Sequence, residues 1–134
     1  MIFNYIGNYS LIISVIISLT IFFLSISNLQ KINIQKKISL SKLNFFQFFF
    51  VLVSFFSLVV LFLLSEFSNI TVFNNSHTTK PLFYKISGTW GNHEGSLLLW
   101  LLILTFSLFI YFLSSKSRPV KERLLTLIFQ EVII

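Results

Sequence analysis

The stretch that decides the fold is the apolar run Phe45–Leu64, which reads FFQFFFVLVSFFSLVVLFLL. It carries no charge, and a helix needs about 20 apolar residues to cross a hydrocarbon layer about 30 Å thick. Two further uncharged runs, at about 9–26 and about 96–113, meet the same length requirement. Serine and threonine are tolerated inside them because each hydroxyl can bond a carbonyl one turn back. The sequence therefore predicts three transmembrane helices.

The composition agrees with a membrane protein and excludes a soluble globular domain. Of 134 residues, 55% are hydrophobic and 10% are charged, and the mean hydropathy is +0.87. The chain has no cysteine, which excludes a disulfide framework, a thiol-exchange motif and a covalent haem attachment site of its own. We expect an all-α integral membrane protein that forms a single membrane domain over residues 1–134.

The two ends of the chain need separate interpretations. Residues 1–8 contain no basic residue and the whole chain contains no alanine, so the first run does not resemble a cleaved signal peptide. Near the other end, Pro119 precedes the apolar segment LLTLIF, which predicts a short partial fourth helix. The sixteen residues 119–134 are too few to span a bilayer, and the apolar run stops at Gln130 and Glu131.

The distribution of basic residues predicts the orientation. Eight of the ten lie in the loop 28–44 or in the tail 114–134: Lys31, Lys36, Lys37, Lys42, Lys116, Arg118, Lys121 and Arg123. By the positive-inside rule these segments face the cytoplasm or matrix, and the N-terminus and the loop 67–93 face outside. The net charge of +6 is thus a topology signal, and we expect contact with lipid headgroups but not with nucleic acid.

The outside loop runs into the most distinctive segment, Trp90–Trp100, which reads WGNHEGSLLLW and is called the signature below. We expect Gly91 to permit a tight turn and Asn92 to cap the third span. Glu94 then falls in the first helical turn, where the helix dipole favours a negative charge. Gly95 would allow another helix to approach closely.

Two interpretations of the signature remain open from the residues alone. In the first it is only a helix entry at the membrane interface, with tryptophan anchors and a capping asparagine. In the second, a surface that contacts a ring-shaped ligand or a partner is lined by four residues: Trp90, His93, Glu94 and Trp100. His93 is a weak metal candidate because the chain offers no second ligand beside it, so we expect no metal site.

The signature resembles that of the CcmF family, the membrane component of cytochrome c maturation that acts as the haem lyase. Ile6–Asn8 and Pro81–Lys85 also resemble the corresponding parts of the family. The resemblance assigns no catalytic residue. It marks the following residues as candidates for a surface that faces haem or a partner: Trp90, Gly91, His93, Glu94, Gly95, Ser96 and Trp100.

The resemblance implies a chemistry and a set of partners. Members of the family receive haem from a haem chaperone and join its vinyl groups to two cysteines of apocytochrome c through thioether bonds. Their WWD loop and haem-ligating histidines lie beyond the region matched here, and His93 does not match a ligand position. We therefore expect haem to be bound by an assembled complex, with its ligands on partner chains that carry these parts.

The size and composition of the chain predict that it is a fragment and indicate which membrane it belongs to. Full members of the family have many more spans, so we expect an N-terminal fragment of a split protein that is not catalytic alone. The absence of alanine, with abundant phenylalanine, isoleucine and asparagine, is typical of an AT-rich genome. This favours the mitochondrial inner membrane over a bacterial one, with the N-terminus in the intermembrane space.

Two other classes of membrane protein compete with this interpretation. A small structural subunit of a respiratory-chain complex would have a similar size and composition, but we would expect acids within its spans and a loop cysteine. A transporter fragment would show broken helices or ionisable residues at mid-membrane. The three predicted spans contain no acidic residue, no lysine or arginine and no histidine.

Overall fold

The computed structural model describes residues 2–31, 37–115 and 118–134. Within these ranges the chain is helical and contains no strand. The helices are α1 (Ile2–Lys31), α2 (Lys37–Leu64), α3 (Ile70–Asn75), α4 (Leu82–Gly88), α5 (His93–Ser114) and α6 (Val120–Ile133). Helices α1, α2 and α5 are long and apolar enough to cross a membrane. The predicted fold class, three spanning helices and a further C-terminal helix, is confirmed.

The long helices extend beyond the predicted spans. Helix α1 begins at Ile2 and α2 at Lys37, so much of the predicted loop 28–44 is helical. Residues 32–36 of that loop and residues 116–117 of the predicted tail lie outside the described residues. At 1.5 Å per residue, the 30 residues of α1 extend for about 45 Å, well beyond a hydrocarbon layer of about 30 Å.

Helices α1 and α2 pack antiparallel along a stripe of serines. The buried residues of α1 recur every three or four positions: Ser10, Ser14, Ser18, Ile21, Ser25 and Asn28. At one end of the stripe, a Cβ built on Gly7 would lie 3.2 Å from the Cβ of Ser57 on α2. Small side chains allow the two backbones to approach closely. The hydroxyls of Ser10 and Ser14 donate to the carbonyls of Gly7 and Leu11, as expected from the sequence.

Helix α5 packs against α2 through aromatic rings. The ring of Phe48 lies 5.4 Å from that of Phe106 and 5.5 Å from that of Phe109, measured between centroids. The ring of Phe45 lies 5.7 Å from that of Phe109. Such pairs contribute about 0.5–1.5 kcal/mol beyond their buried area. The order of these contacts shows that α2 and α5 are antiparallel.

Helix α6 enters the bundle beside α1 and α5. Its Leu124 and Leu127 are buried in one cluster with Ile21, Leu40, Leu108 and Phe112. Helix α6 runs antiparallel to α5 until the Gln130 amide donates to the Leu104 carbonyl at 2.6 Å, near the middle of α5. The predicted short fourth helix is present, and it continues past Gln130 and Glu131 to Ile133, because both polar side chains bond to other helices.

The predicted outside loop 67–93 is more ordered than the sequence indicated, because it contains α3 and α4. Helix α2 ends at Leu64, and the φ of 51° at the next residue, Ser65, lets the Glu66 amide donate to the Leu61 carbonyl. Asn69 then caps α3 by accepting from two backbone amides. Val72 packs on Leu61 and Phe62, which fixes α3 against the end of α2. We call this end of the bundle the signature end.

Candidate functional site

The signature begins in a tight turn between α4 and α5 that Asn92 holds together. The Asn92 side-chain oxygen accepts from the Gly95 amide at 2.7 Å and so caps α5. Its side-chain nitrogen donates to the carbonyls of Gly88, at 2.7 Å, and Thr89, at 3.2 Å. One side chain therefore satisfies backbone groups at the end of α4 and at the start of α5. The predicted cap is present, and it also locks the preceding helix.

Gly95 is the tightest position of this turn. A Cβ on Gly95 would lie 1.6 Å from the Thr89 carbonyl oxygen and 2.8 Å from its carbon. The close neighbour predicted from the sequence was another helix, but the observed neighbour is the backbone of the turn itself. Only four residues join α4 and α5, so the end of α4 folds directly onto the first turn of α5.

The large side chains of the signature project away from this turn. Trp90 is 42% exposed and Trp100 is 66% exposed. His93 is the first residue of α5, and both it and Glu94 are exposed. Asn92 and Gly95 thus shape the backbone of the signature. Its aromatic, imidazole and carboxylate groups remain accessible on the outside of the bundle.

Trp100 starts an exposed apolar face that continues along α5. Large hydrophobic side chains that are roughly half exposed or more recur every three or four residues: Leu97, Trp100, Ile103, Phe106, Ile110 and Leu113. Of the three long helices, α5 has the smallest buried share. A contiguous apolar face of this length requires lipid or another helix to cover it.

The remaining predicted site residues have local roles. The Gly91 amide donates to the Ser87 carbonyl at 2.9 Å and so closes the end of α4. The Ser96 hydroxyl donates to the His93 carbonyl at 2.9 Å. Among the described residues, no three histidine, cysteine or acidic side chains come together as metal ligands. The arrangement can present a contact surface but no assembled metal-ligand set of its own.

Sequence reasoning missed a polar cluster deep in the bundle. Glu131 of α6 is buried, and its Oε2 accepts from the Ser18 hydroxyl at 2.5 Å and from the Gln47 amide at 2.8 Å. The signal was available, because Leu124, Leu127 and Glu131 recur at helical spacing and share one face. The two polar residues at positions 130 and 131 were instead interpreted as the end of the apolar segment.

The similarity of the chain to known proteins agrees with the signature. It is 36% identical over 113 residues to the cytochrome c-type biogenesis protein CcmF of Haemophilus influenzae, a match that covers 84% of this chain. The chain belongs to the CcmF family. It is also 59% identical over 58 residues to the cytochrome c-type biogenesis protein CycK of Bradyrhizobium diazoefficiens. A probable cytochrome c biosynthesis protein of Daucus carota is 46% identical over 52 residues.

These CcmF relatives are much longer than the region that they share with this chain. The matched region is 17% of the Haemophilus protein, and it is 9% of the Bradyrhizobium and of the Daucus proteins. No family model matches the chain, and no solved structure matches it. The chain therefore spans only a small part of the length of these relatives.

Proposed function

We propose that this chain is the N-terminal subunit of a CcmF-type cytochrome c haem lyase and assists thioether attachment of haem to apocytochrome c. The observation that carries the proposal is the exposure of Trp90, Glu94 and Trp100 beside a turn in which the backbone is tightly constrained. Family membership supports the choice of reaction, because the relatives are named as cytochrome c-type biogenesis proteins.

The helix-entry interpretation explains only part of the signature. Asn92 and Gly95 are sufficient to cap α5 and to close the turn. Trp100 lies beyond the first turn and is 66% exposed, so it contributes little to the cap or to the core. An exposed tryptophan on an apolar helix face is well suited to be an anchor in an interface with another protein chain.

In this proposal haem is a ligand of the assembled complex. The exposed rings of Trp90 and Trp100 fit a contact surface for a flat aromatic macrocycle or for the chain that holds it. His93 does not match one of the family's haem-ligand positions, so the axial ligands are assigned to partner chains. Those partners are the CcmF parts that carry the WWD loop and the haem-ligating histidines, a haem chaperone and apocytochrome c. This chain alone is not catalytic.

The proposed location is the mitochondrial inner membrane, with the signature end facing the intermembrane space. Eight of the ten basic residues lie in the sequence segments 28–44 and 114–134, which supports this orientation by the positive-inside rule. The whole chain is proposed to act as one membrane domain, because α6 packs between α1 and α5 instead of standing apart.

The test compares holocytochrome c yield among signature variants. In a strain that depends on this chain, the double variant Trp90→Phe, Glu94→Gln and the single variant Trp100→Leu should lower haem-stained holocytochrome c per unit of inserted protein. The matched control is Phe83→Leu, which changes an aromatic residue that is 87% exposed at the same end of the bundle. His93→Ala should have a smaller effect than the double variant.

Two outcomes would contradict the proposal. A normal yield in all the signature variants would leave Trp90–Trp100 as a helix-entry element only. Co-purification of the chain with respiratory-complex subunits, and not with apocytochrome c or other CcmF chains, would favour the structural-subunit alternative.

A further inference from the structure

Helix α6 brings a carboxyl group into the interior of the bundle. Glu131 is 8% exposed, Ser18 is 9% exposed and Gln47 is 1% exposed, and the three side chains come from three different helices. Both hydrogen bonds to the carboxyl, from the Ser18 hydroxyl and the Gln47 amide, end on the same oxygen, Oε2. The other carboxyl oxygen, Oε1, is buried as well.

Two buried oxygen atoms of this cluster have no hydrogen-bond donor. Glu131 Oε1 and Gln47 Oε1 are both buried, and no donor among the described residues reaches either atom. The two groups that carry these oxygens are already joined by the 2.8 Å bond from Gln47 Nε2 to Glu131 Oε2. A carboxylic acid and a primary amide can form two parallel hydrogen bonds when the acid carries its proton, because the acid then donates as well as accepts. One proton would therefore satisfy both unpartnered oxygens.

No cation among the described residues is bonded to Glu131. Helix α1 has no charged residue from Ile2 to Leu29, and α5 has none after Glu94. On α2 the nearest charge in sequence is Lys42, whose side chain is exposed. On α6 it is Arg123, eight residues or about 12 Å away along the helix, with its guanidinium over the Phe112 ring. An ionised Glu131 would be a buried charge without a counter-ion, which is costly.

We propose that Glu131 binds a proton on Oε1 when α6 is docked and donates it to Gln47 Oε1, which makes a cyclic acid–amide pair that holds α6 in the bundle. The reaction is the addition of one proton from solvent to the carboxylate, with no other bond made or broken. Docking of α6 thus takes up one proton. This site is independent of the signature and of the proposed lyase function.

The direction of the pH dependence follows from this proton uptake. The docked state binds one more proton than the undocked state, so docking is complete where the undocked carboxyl is still protonated and weakens as the pH rises. Where the undocked carboxyl is ionised and the docked carboxyl is still protonated, the equilibrium constant for docking falls by about tenfold per pH unit. At higher pH the docked carboxyl ionises as well, and the constant no longer changes with pH.

Infrared spectroscopy tests the proton directly, because the chain has only four acidic side chains. The others are Glu66, Glu94 and Glu122, and none of them is buried. The full chain in lipid bilayers at neutral pH should show the carbonyl stretch of a protonated carboxyl. This band should vanish in Glu131→Gln and persist in Glu122→Gln, the matched control. A spectrum without the band, or a band that survives Glu131→Gln, would overturn the proposal.

A labelling experiment tests the link to docking. Because the chain has no cysteine, Leu127→Cys places a single thiol at a fully buried position of α6, and Phe129→Cys places one at a position that is 68% exposed. The measured quantity is the labelling rate of the buried thiol divided by that of the exposed thiol. This ratio corrects for the rise in thiol ionisation with pH, which both positions share. This ratio should rise with pH, by up to about tenfold per unit. It should stay low and flat in the Glu131→Gln background, where a second amide replaces the protonated acid.

The Glu131→Gln background also separates the proposal from its opposite. If an ionised Glu131 held α6 in place, the amide variant would lose charge-assisted hydrogen bonds and label faster than the parent at neutral pH. Faster labelling, or the same pH profile in both backgrounds, would overturn the proton-binding assignment.

Discussion

At the scale of single residues, Gly95 should be the least replaceable position of the signature. Gly95→Ala places a methyl group 1.6 Å from the Thr89 carbonyl oxygen, a distance that no rotation of the methyl relieves. The turn must open, and the Asn92 cap must be disturbed with it. Overpacking of this kind costs about 1–3 kcal/mol or more. We expect a lower thermal unfolding midpoint in detergent and faster proteolysis between α4 and α5.

The neighbouring Ser96→Ala is the control for this prediction. The Ser96 hydroxyl bonds only to a carbonyl in its own helix, so its loss should change stability by less than about 0.5 kcal/mol. Equal stability of Gly95→Ala and Ser96→Ala would mean that the turn is looser than described.

The residue scale also shows what sequence patterns can and cannot supply. The Asn92 cap was predictable, because capping depends on a local residue type and its spacing from the helix. The bonds from Asn92 to Gly88 and Thr89 were not, because they depend on how α4 folds back onto α5. The partner of Gly95 was mistaken for the same reason.

At the scale of helices, the serine stripe should control the packing of α1 on α2. Ser14 is 3% exposed and lies on the α1 stripe between Gly7 and Ser18. Gly7 packs against Ser57 of α2, and Ser18 donates a hydrogen bond to Glu131, which also accepts one from Gln47. Ser14→Leu adds a large side chain to a close helix contact and should destabilise the bundle by about 1–3 kcal/mol. Thermal unfolding in detergent monitored by circular dichroism measures this change.

Ile12→Leu is the matched variant on the lipid-facing side of the same helix. Ile12 is 55% exposed, so this substitution should stay within about 0.5 kcal/mol of the parent. Comparable losses in both variants would show that serine size is not what sets the distance between α1 and α2.

The three spans were predictable from sequence, but the helix contacts were not. Hydropathy and length are sums over a segment, and they identify a span without knowledge of its neighbours. The buried serines of α1 were not predicted as a packing stripe, because the sequence shows where serines occur but not which of them face another helix. The position of α6 depends on tertiary contacts such as Gln130 with Leu104, which no local pattern encodes.

At the scale of the whole molecule, the orientation can be tested with single cysteines. Asn74 is exposed in α3 at the signature end, and Lys121 is exposed near the start of α6 at the other end. If the charge distribution sets the topology, an impermeant thiol reagent added to mitoplasts should label Asn74→Cys and spare Lys121→Cys. A permeant reagent should label both. The reverse pattern with the impermeant reagent would place the signature on the matrix side.

The exposed helix faces also predict that the chain works in a larger assembly. Glu94 and Trp100 both stand on the exposed side of α5, and the Glu94 carboxylate and the indole N–H of Trp100 are groups for which a neighbouring chain can supply hydrogen-bond partners. Burial against other CcmF helices would provide such partners and would use the face that starts at Trp100.

In mild detergent we expect a complex well above the 15.6 kDa mass of the chain on native gels. Trp100→Leu combined with Ile103→Asn should shift the chain toward its monomer mass, whereas the corresponding changes on α1, Phe23→Leu with Ile16→Asn, should not. A stable monomer of the unmodified chain that supports normal holocytochrome c formation would show that no such assembly is needed.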